Sequence, residues 1–216
     1  MKYIDDIERL RGLGGIPVEF SSLRALYHDY SSPASKIALL SRQGLLTRLQ
    51  KGLYLVSETI TGEHPDTHLA ANHLYGPSYI SLESAMQEYG MIPEAVYSIE
   101  SVTTKRSRDV STQLGSFRYH HVPDSYYGVG LRMHRTKAGN NYLIASPEKA
   151  LCDHFVTVKG LQVRSLKSMV EYLVDYMRID TDSLTAMDLS IIKAASRVGS
   201  KQQTLHFLEE AIRCLN

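Results

Sequence analysis

An α+β (mixed α/β) chain in two parts follows from three features of the 216-residue sequence. Ser32–Val56 carries a capped helix and then a short hairpin, with four Lys or Arg and no Asp or Glu between Ser31 and Ser57. The charge then reverses, and Ser57–Glu100 holds seven acids and no Lys or Arg. Strand-forming segments fill Tyr97–Tyr142, and helical periodicity dominates from Ser165 onward. The layout expected is a winged helix-turn-helix over 1–60 and a larger α/β domain over 61–216, with a mixed or antiparallel sheet and a helical tail.

Taken in order, Ile4, Ile7, Leu10 and Arg11 recur at three-to-four spacing, so Tyr3–Leu13 reads as an amphipathic helix closed by Gly12, Gly14 and Gly15. Pro17–Phe20 is extended. Ser21 is placed to cap a second helix to about Tyr30, with Leu23, Leu26 and Tyr27 inward. Ser32 and Pro33 start a third helix as N-cap and first-turn proline, and Gly44 ends it. On that helix Ile37, Ala38 and Leu40 face a core, while Ser35, Lys36, Leu39, Arg42 and Gln43 fall on the other side. Leu45, Leu46, Leu49, Leu53, Tyr54 and Leu55 flank a Gln50-Lys51-Gly52 turn as a hairpin.

Thr59–Pro65 reads as a linker. Helices are expected over Asp66–Tyr75 and over Leu82–Tyr89, the latter capped by Ser81 and stopped by Gly90 and Pro93. Ser98–Thr104, Gly115–His120, Gly130–Met133 and Asn141–Ala145 read as strands, the last pair turning at Gly139-Asn140. Ser146, Pro147 and Glu148 start a helix to Val158 that buries Ala150, Leu151, Cys152 and Phe155. Helices over Leu166–Met177, Ser183–Val198 and Leu205–Leu215 follow.

Composition removes several function classes. Two cysteines, Cys152 and Cys214, are too few and too far apart for a disulfide framework or a thiolate zinc site, which suits a reducing compartment. No apolar run approaches the roughly 20 residues of a membrane span. Acids follow within the first six residues, where a signal peptide needs a basic and then apolar start. A cytoplasmic location with no membrane partner is the expectation.

His64, His68 and His73 have metal-ligand spacing, but Pro65 interrupts the helix after His64 and no fourth ligand is near. Cys152 and His154 stand two apart on a helix and do not face each other. Phosphate loops, nucleophile elbows and dinucleotide fingerprints are missing. No metal, cofactor or catalytic residue is therefore expected, and the chain is not read as an enzyme.

The positive charge points to nucleic acid. Ser35, Lys36, Arg42 and Gln43 would reach base edges or adjacent phosphates of double-stranded DNA from the third helix, and Arg48, Gln50 and Lys51 would touch the backbone from the wing. Lys105, Arg106 and Arg108, with Arg118 beyond them, form a second basic patch. It is open to three readings: a further phosphate contact, a dock on the chain's own acidic 57–100 segment, or a solvated loop. The rival class is a protein-interaction module using the winged helix as a docking platform.

Four stretches in order carry a resemblance. They are Gln43–Tyr54; Tyr79–Ala85 with Gly90–Pro93; Val102–Arg108 with Leu114–Tyr119; and Ala145–Asp153. Together they resemble the AbiEi family of antitoxins from bacterial type IV toxin–antitoxin systems. The resemblance implies a winged helix that binds inverted repeats in its own promoter and represses the operon. It also implies a C-terminal domain needed for antitoxin activity against a nucleotidyltransferase-like toxin, without direct binding of that toxin. Tyr27–Tyr30 is an extra polar segment relative to the commonest family pattern and leaves the start of the groove-reading helix open.

Overall fold

The computed structural model describes residues 2–94, 96–161 and 163–215; Met1 and Asn216, the end points of the two expected ranges, lie outside the described residues. The chain is α+β. It opens with α1 (Lys2–Arg11), β1 (Val18–Glu19), α2 (Phe20–Leu26) and α3 (Pro33–Arg42), followed by β2 (Leu46–Gln50) and β3 (Leu53–Val56). These strands form an antiparallel sheet in the order β1-β3-β2. The start of α3 is fixed locally: Ser32 Oγ accepts from the Ser35 backbone N–H, and Pro33 occupies the first turn, where no donor is needed. Gly44 closes the helix at φ +74°, and Gly52 turns the hairpin at φ +85°, a region that penalises any side chain.

Some expectations fail here for physical reasons. Ser21 does not cap α2; Glu19 holds that position, and the Ser21 hydroxyl donates to the Glu19 carboxylate at 3.1 Å. Ala38 is exposed rather than inward, because only Ile37 and Leu40 lie on the buried stripe of α3. The expected linker, Thr59–Pro65, begins inside a one-turn helix, α4 (Glu58–Thr61), held by the buried Ile60.

The remaining elements are α5 (Thr67–Leu74), β4 (Ser78–Ile80), α6 (Leu82–Glu88), β5 (Ser98–Thr103), β6 (Arg108–Thr112), β7 (Gly115–His121), α7 (Asp124–Tyr127), β8 (Leu131–Arg135) and β9 (Asn141–Ala145). Helices follow: α8 (Pro147–Thr157), α9 (Leu166–Glu171) continuing into a π-helical stretch Tyr172–Tyr176, α10 (Thr181–Thr185), α11 (Leu189–Val198) and α12 (Gln202–Leu215). The single helix expected over Ser183–Val198 is broken, because Asp188 accepts from the Ser190 N–H and starts α11 afresh.

The larger sheet is mixed, in the order β6-β7-β5-β4-β9-β8, parallel at β5/β7 and β4/β9 and antiparallel elsewhere. Ser81 stands at the N-cap position of α6, yet its hydroxyl donates to Asp153 Oδ2 at 2.6 Å instead of capping the helix.

Two apolar cores result. The smaller joins Leu10, Leu23, Tyr27, Ile37, Leu40, Leu45, Leu46 and Val56. The larger spans the six-stranded sheet and its helices, and it also takes in Leu49, Leu53 and Leu55. The β2–β3 hairpin therefore belongs to both cores and is fixed to the larger body by its own leucines. Among the described residues no helix is long and apolar enough to cross a membrane.

Candidate nucleic-acid interface

The N-terminal unit is pinned by α1. Arg9 donates to both Asp29 oxygens, at 2.8 and 2.9 Å, and Lys36 Nζ lies 2.5 Å from Asp6 Oδ2. The Lys36 ammonium also sits 4.9 Å from the Tyr30 ring centroid, and its side chain is only 10% exposed. Burial alone would lower its pKa; the bond and charge of Asp6 outweigh this and raise it. Lys36, expected to reach base edges, is thus turned inward. It precedes Leu40 by one turn and so lies along the buried stripe of α3.

What α3 shows to solvent is Ala34, Ser35, Ala38, Leu39, Arg42 and Gln43. The Ser35 hydroxyl is engaged by Ser32 Oγ at 2.8 Å. Arg48 is exposed on β2, where its Nε donates to the Gln50 carbonyl at 3.3 Å, and Lys51 is exposed in the turn. Among the described residues Arg42, Arg48 and Lys51 have no acidic partner, whereas Lys36 and Arg9 do.

Gln50 is placed differently from expectation: its Nε2 donates to the Leu74 carbonyl at 2.7 Å. Lys105 Nζ donates to the Gly76 carbonyl, 5.3 Å from the Tyr75 ring centroid, and the Arg108 guanidinium lies 5.5 Å from the same centroid. Both groups lie just beyond the C-terminal end of α5, where the helix dipole favours cations. The hairpin tip and the second basic patch meet across residues 74–76 in consequence. Arg118 is occupied, 3.0 Å from Glu100 Oε1 and 3.6 Å from Asp109 Oδ1; the parallel register that sets Glu100 beside Arg118 dictates the first contact. Arg106 is exposed without an acidic partner among the described residues. Most of the second patch thus docks on the chain's own 57–100 segment, through a carbonyl and a ring as well as a carboxylate.

The larger body buries a few of its charges. On α8, Lys149 is fully buried, with Nζ 3.0 Å from the Tyr126 carbonyl, 3.1 Å from that residue's ring centroid and 3.1 Å from Asp153 Oδ1. Burial lowers its pKa, partly offset by Asp153. Asp153 Oδ2 accepts from Tyr79 and Ser81 on or beside β4. His154 bonds Glu83 on α6 at 2.8 Å and Tyr172 at 2.9 Å. Cys152 is fully buried, and desolvation pushes its thiol pKa up, the opposite of what a nucleophile needs.

His68 and Tyr142 line a cleft of about 740 Å³ between residues 63–69 and the β8–β9 hairpin, with His68 Nδ1 3.3 Å from the Tyr142 hydroxyl. Among the described residues no group of three or more His, Cys, Asp or Glu is placed to hold a metal. The residue that sequence reasoning left out of the interface is Leu39, 45% exposed at the middle of the open face of α3. Its helical spacing from Ser35 and Gln43 was the available signal. No protein-family model matches the chain, and no curated protein matches it.

Proposed function

We propose that the chain is a sequence-specific double-stranded DNA-binding regulator in which residues 1–60 act as a winged helix. In this reading α3 enters the major groove, and the β2–β3 hairpin follows the adjacent backbone. The observation that carries it is the set of exposed cations without acidic partners among the described residues, Arg42, Arg48 and Lys51, on a helix and hairpin with no acid between Ser31 and Ser57. Arg42 and Gln43 are the candidates for base edges, the Ser35 hydroxyl being engaged by Ser32; Arg48 and Lys51 are the candidates for phosphates. Lys36, Gln50 and Arg118 leave the contact set because each is tied to another element of the chain, whereas Arg48 bonds a carbonyl of its own strand. An interaction module docking through the same face would gain support had Lys36, Arg42, Arg48 and Lys51 paired with acids of the larger body. Among the described residues the one of these four that pairs with an acid is Lys36, and its partner Asp6 lies on α1.

The AbiEi resemblance extends the proposal. The DNA is the chain's own promoter, carrying inverted repeats, and binding represses the operon. Residues 61–216 act as the antitoxin domain against a nucleotidyltransferase-like toxin without holding it directly. The setting is cytoplasmic, in keeping with two unbridged cysteines, and the role involves neither catalysis nor a cofactor. The test is binding of the full chain to a duplex covering its upstream region, followed across a salt series and against random competitor DNA. A salt-sensitive complex that survives competitor supports the reading, and no complex at low salt overturns it. Co-expression with the neighbouring toxin gene tests the second half: growth should be restored by the full chain and lost when 61–216 is removed.

A further inference from the structure

We propose that Leu39, with Ala38 beside it, reads thymine C5-methyl groups in the major groove; this rests on the DNA-binding reading above. With Lys36 tied to Asp6 and the Ser35 hydroxyl held by Ser32, the open face of α3 is less polar than its sequence suggests. Leu39 stands at its centre, 45% exposed, with the short side chain of Ser35 one turn before it and Ala38 next to it in the chain. Among the described residues it is the one large apolar side chain counted as exposed between Ile4 and Tyr97. A lone exposed leucine is ordinary on a protein surface. This one is set apart by its position between Ser35 and Gln43 at helical spacing, with Arg42 on the same face and Arg48 and Lys51 on the neighbouring hairpin.

Those cations would bring a duplex against this face, and a major groove admits a helix. Within the groove the thymine methyl is the apolar feature a leucine can cover, and it distinguishes thymine from every other unmodified base. Arg42 and Gln43, one turn further along, retain the polar reach suited to guanine or adenine. The site expected is therefore mixed, with at least one fixed thymine beside a purine read by Arg42 or Gln43.

The probe is the tightest duplex recovered by the full chain from a random double-stranded library, compared with copies in which each thymine in turn is replaced by deoxyuridine. That replacement removes one methyl and keeps the Watson–Crick and groove hydrogen-bonding pattern. Burial of one carbon is worth about 0.8 kcal/mol, so binding should weaken about fourfold at one or two positions. Leu39→Ser, a surface change expected to leave the melting temperature unaltered, should bind the thymine and deoxyuridine duplexes equally, and Leu39→Met should restore the preference. The inference is overturned if no thymine is fixed in the selected duplexes, if deoxyuridine is tolerated at every position, or if Leu39→Ser keeps the preference. A salt-sensitive complex indifferent to the methyl rejects this inference alone, whereas no salt-sensitive complex at all rejects the DNA reading with it.

Discussion

On α3 and the hairpin, Arg42, Arg48 and Lys51 keep their charges in water; on α8, Lys149 is fully buried between Asp153 and Tyr126. The residue types match, and the difference lies in which partners the fold brings within reach. A buried ammonium is tolerated only when a carboxylate and further acceptors replace its water. Asp153, one turn along α8, supplies the carboxylate for Lys149, and the Tyr126 carbonyl supplies a second acceptor. The 31–57 stretch contains no carboxylate, so its cations stay outside unless a distant acid arrives, as Asp6 does for Lys36. A basic residue is thus evidence for a nucleic-acid face only after its intrachain partners have been found.

The sharpest way to break this contrast is to remove a cation from each side. Lys149→Met leaves Asp153 buried without its counter-charge and should cost about 3–5 kcal/mol of stability in urea unfolding. Arg48→Ala in the same assay should stay within about 0.5 kcal/mol. Equal effects would abolish the distinction. Next in size, Gln50→Ala strips a donor from the Leu74 carbonyl and should cost about 1 kcal/mol, with faster amide exchange in the hairpin. An unaltered hairpin would mean that Leu49, Leu53 and Leu55 alone fix it to the larger body.

The smallest effect concerns Glu83, whose side chain is about a third exposed. Burial would raise its pKa, but the bond and charge of His154 outweigh this and hold it below the ordinary 4.5. A carboxyl depressed in the folded state contributes stability that is complete above its unfolded value and drains away as pH falls through the folded one. The wild-type chain should therefore lose more stability than Glu83→Gln as pH drops below 4.5, read from urea midpoints. Parallel losses would show that the pair contributes nothing.

How much of this was legible in the sequence depends on the range of each contact. The capping of α3 by Ser32 and Pro33 and of α8 by Ser146 is local and was readable. Strand β4 was missed because Ser78, Tyr79 and Ile80 are all buried, so a three-residue central strand shows no alternation. Strand β6 starts on a basic run that reads as a loop. The candidate site was half legible. Arg42, Arg48 and Lys51 sit where their spacing put them, exposed. Lys36 and Gln50 are tied by partners 30 and 24 residues away, which no local pattern announces.

The most direct test of the central claim, that the free cations and not the bound ones face DNA, is the salt dependence of duplex binding by an Arg42→Ala, Arg48→Ala, Lys51→Ala variant. Each phosphate contact contributes about 0.9 to the slope of log affinity against log salt, so the triple variant, which removes the two phosphate candidates Arg48 and Lys51, should lose about two units. Lys36→Met should leave the slope unchanged. A triple variant with the wild-type slope, or a Lys36→Met protein that loses a unit of it, would contradict the claim.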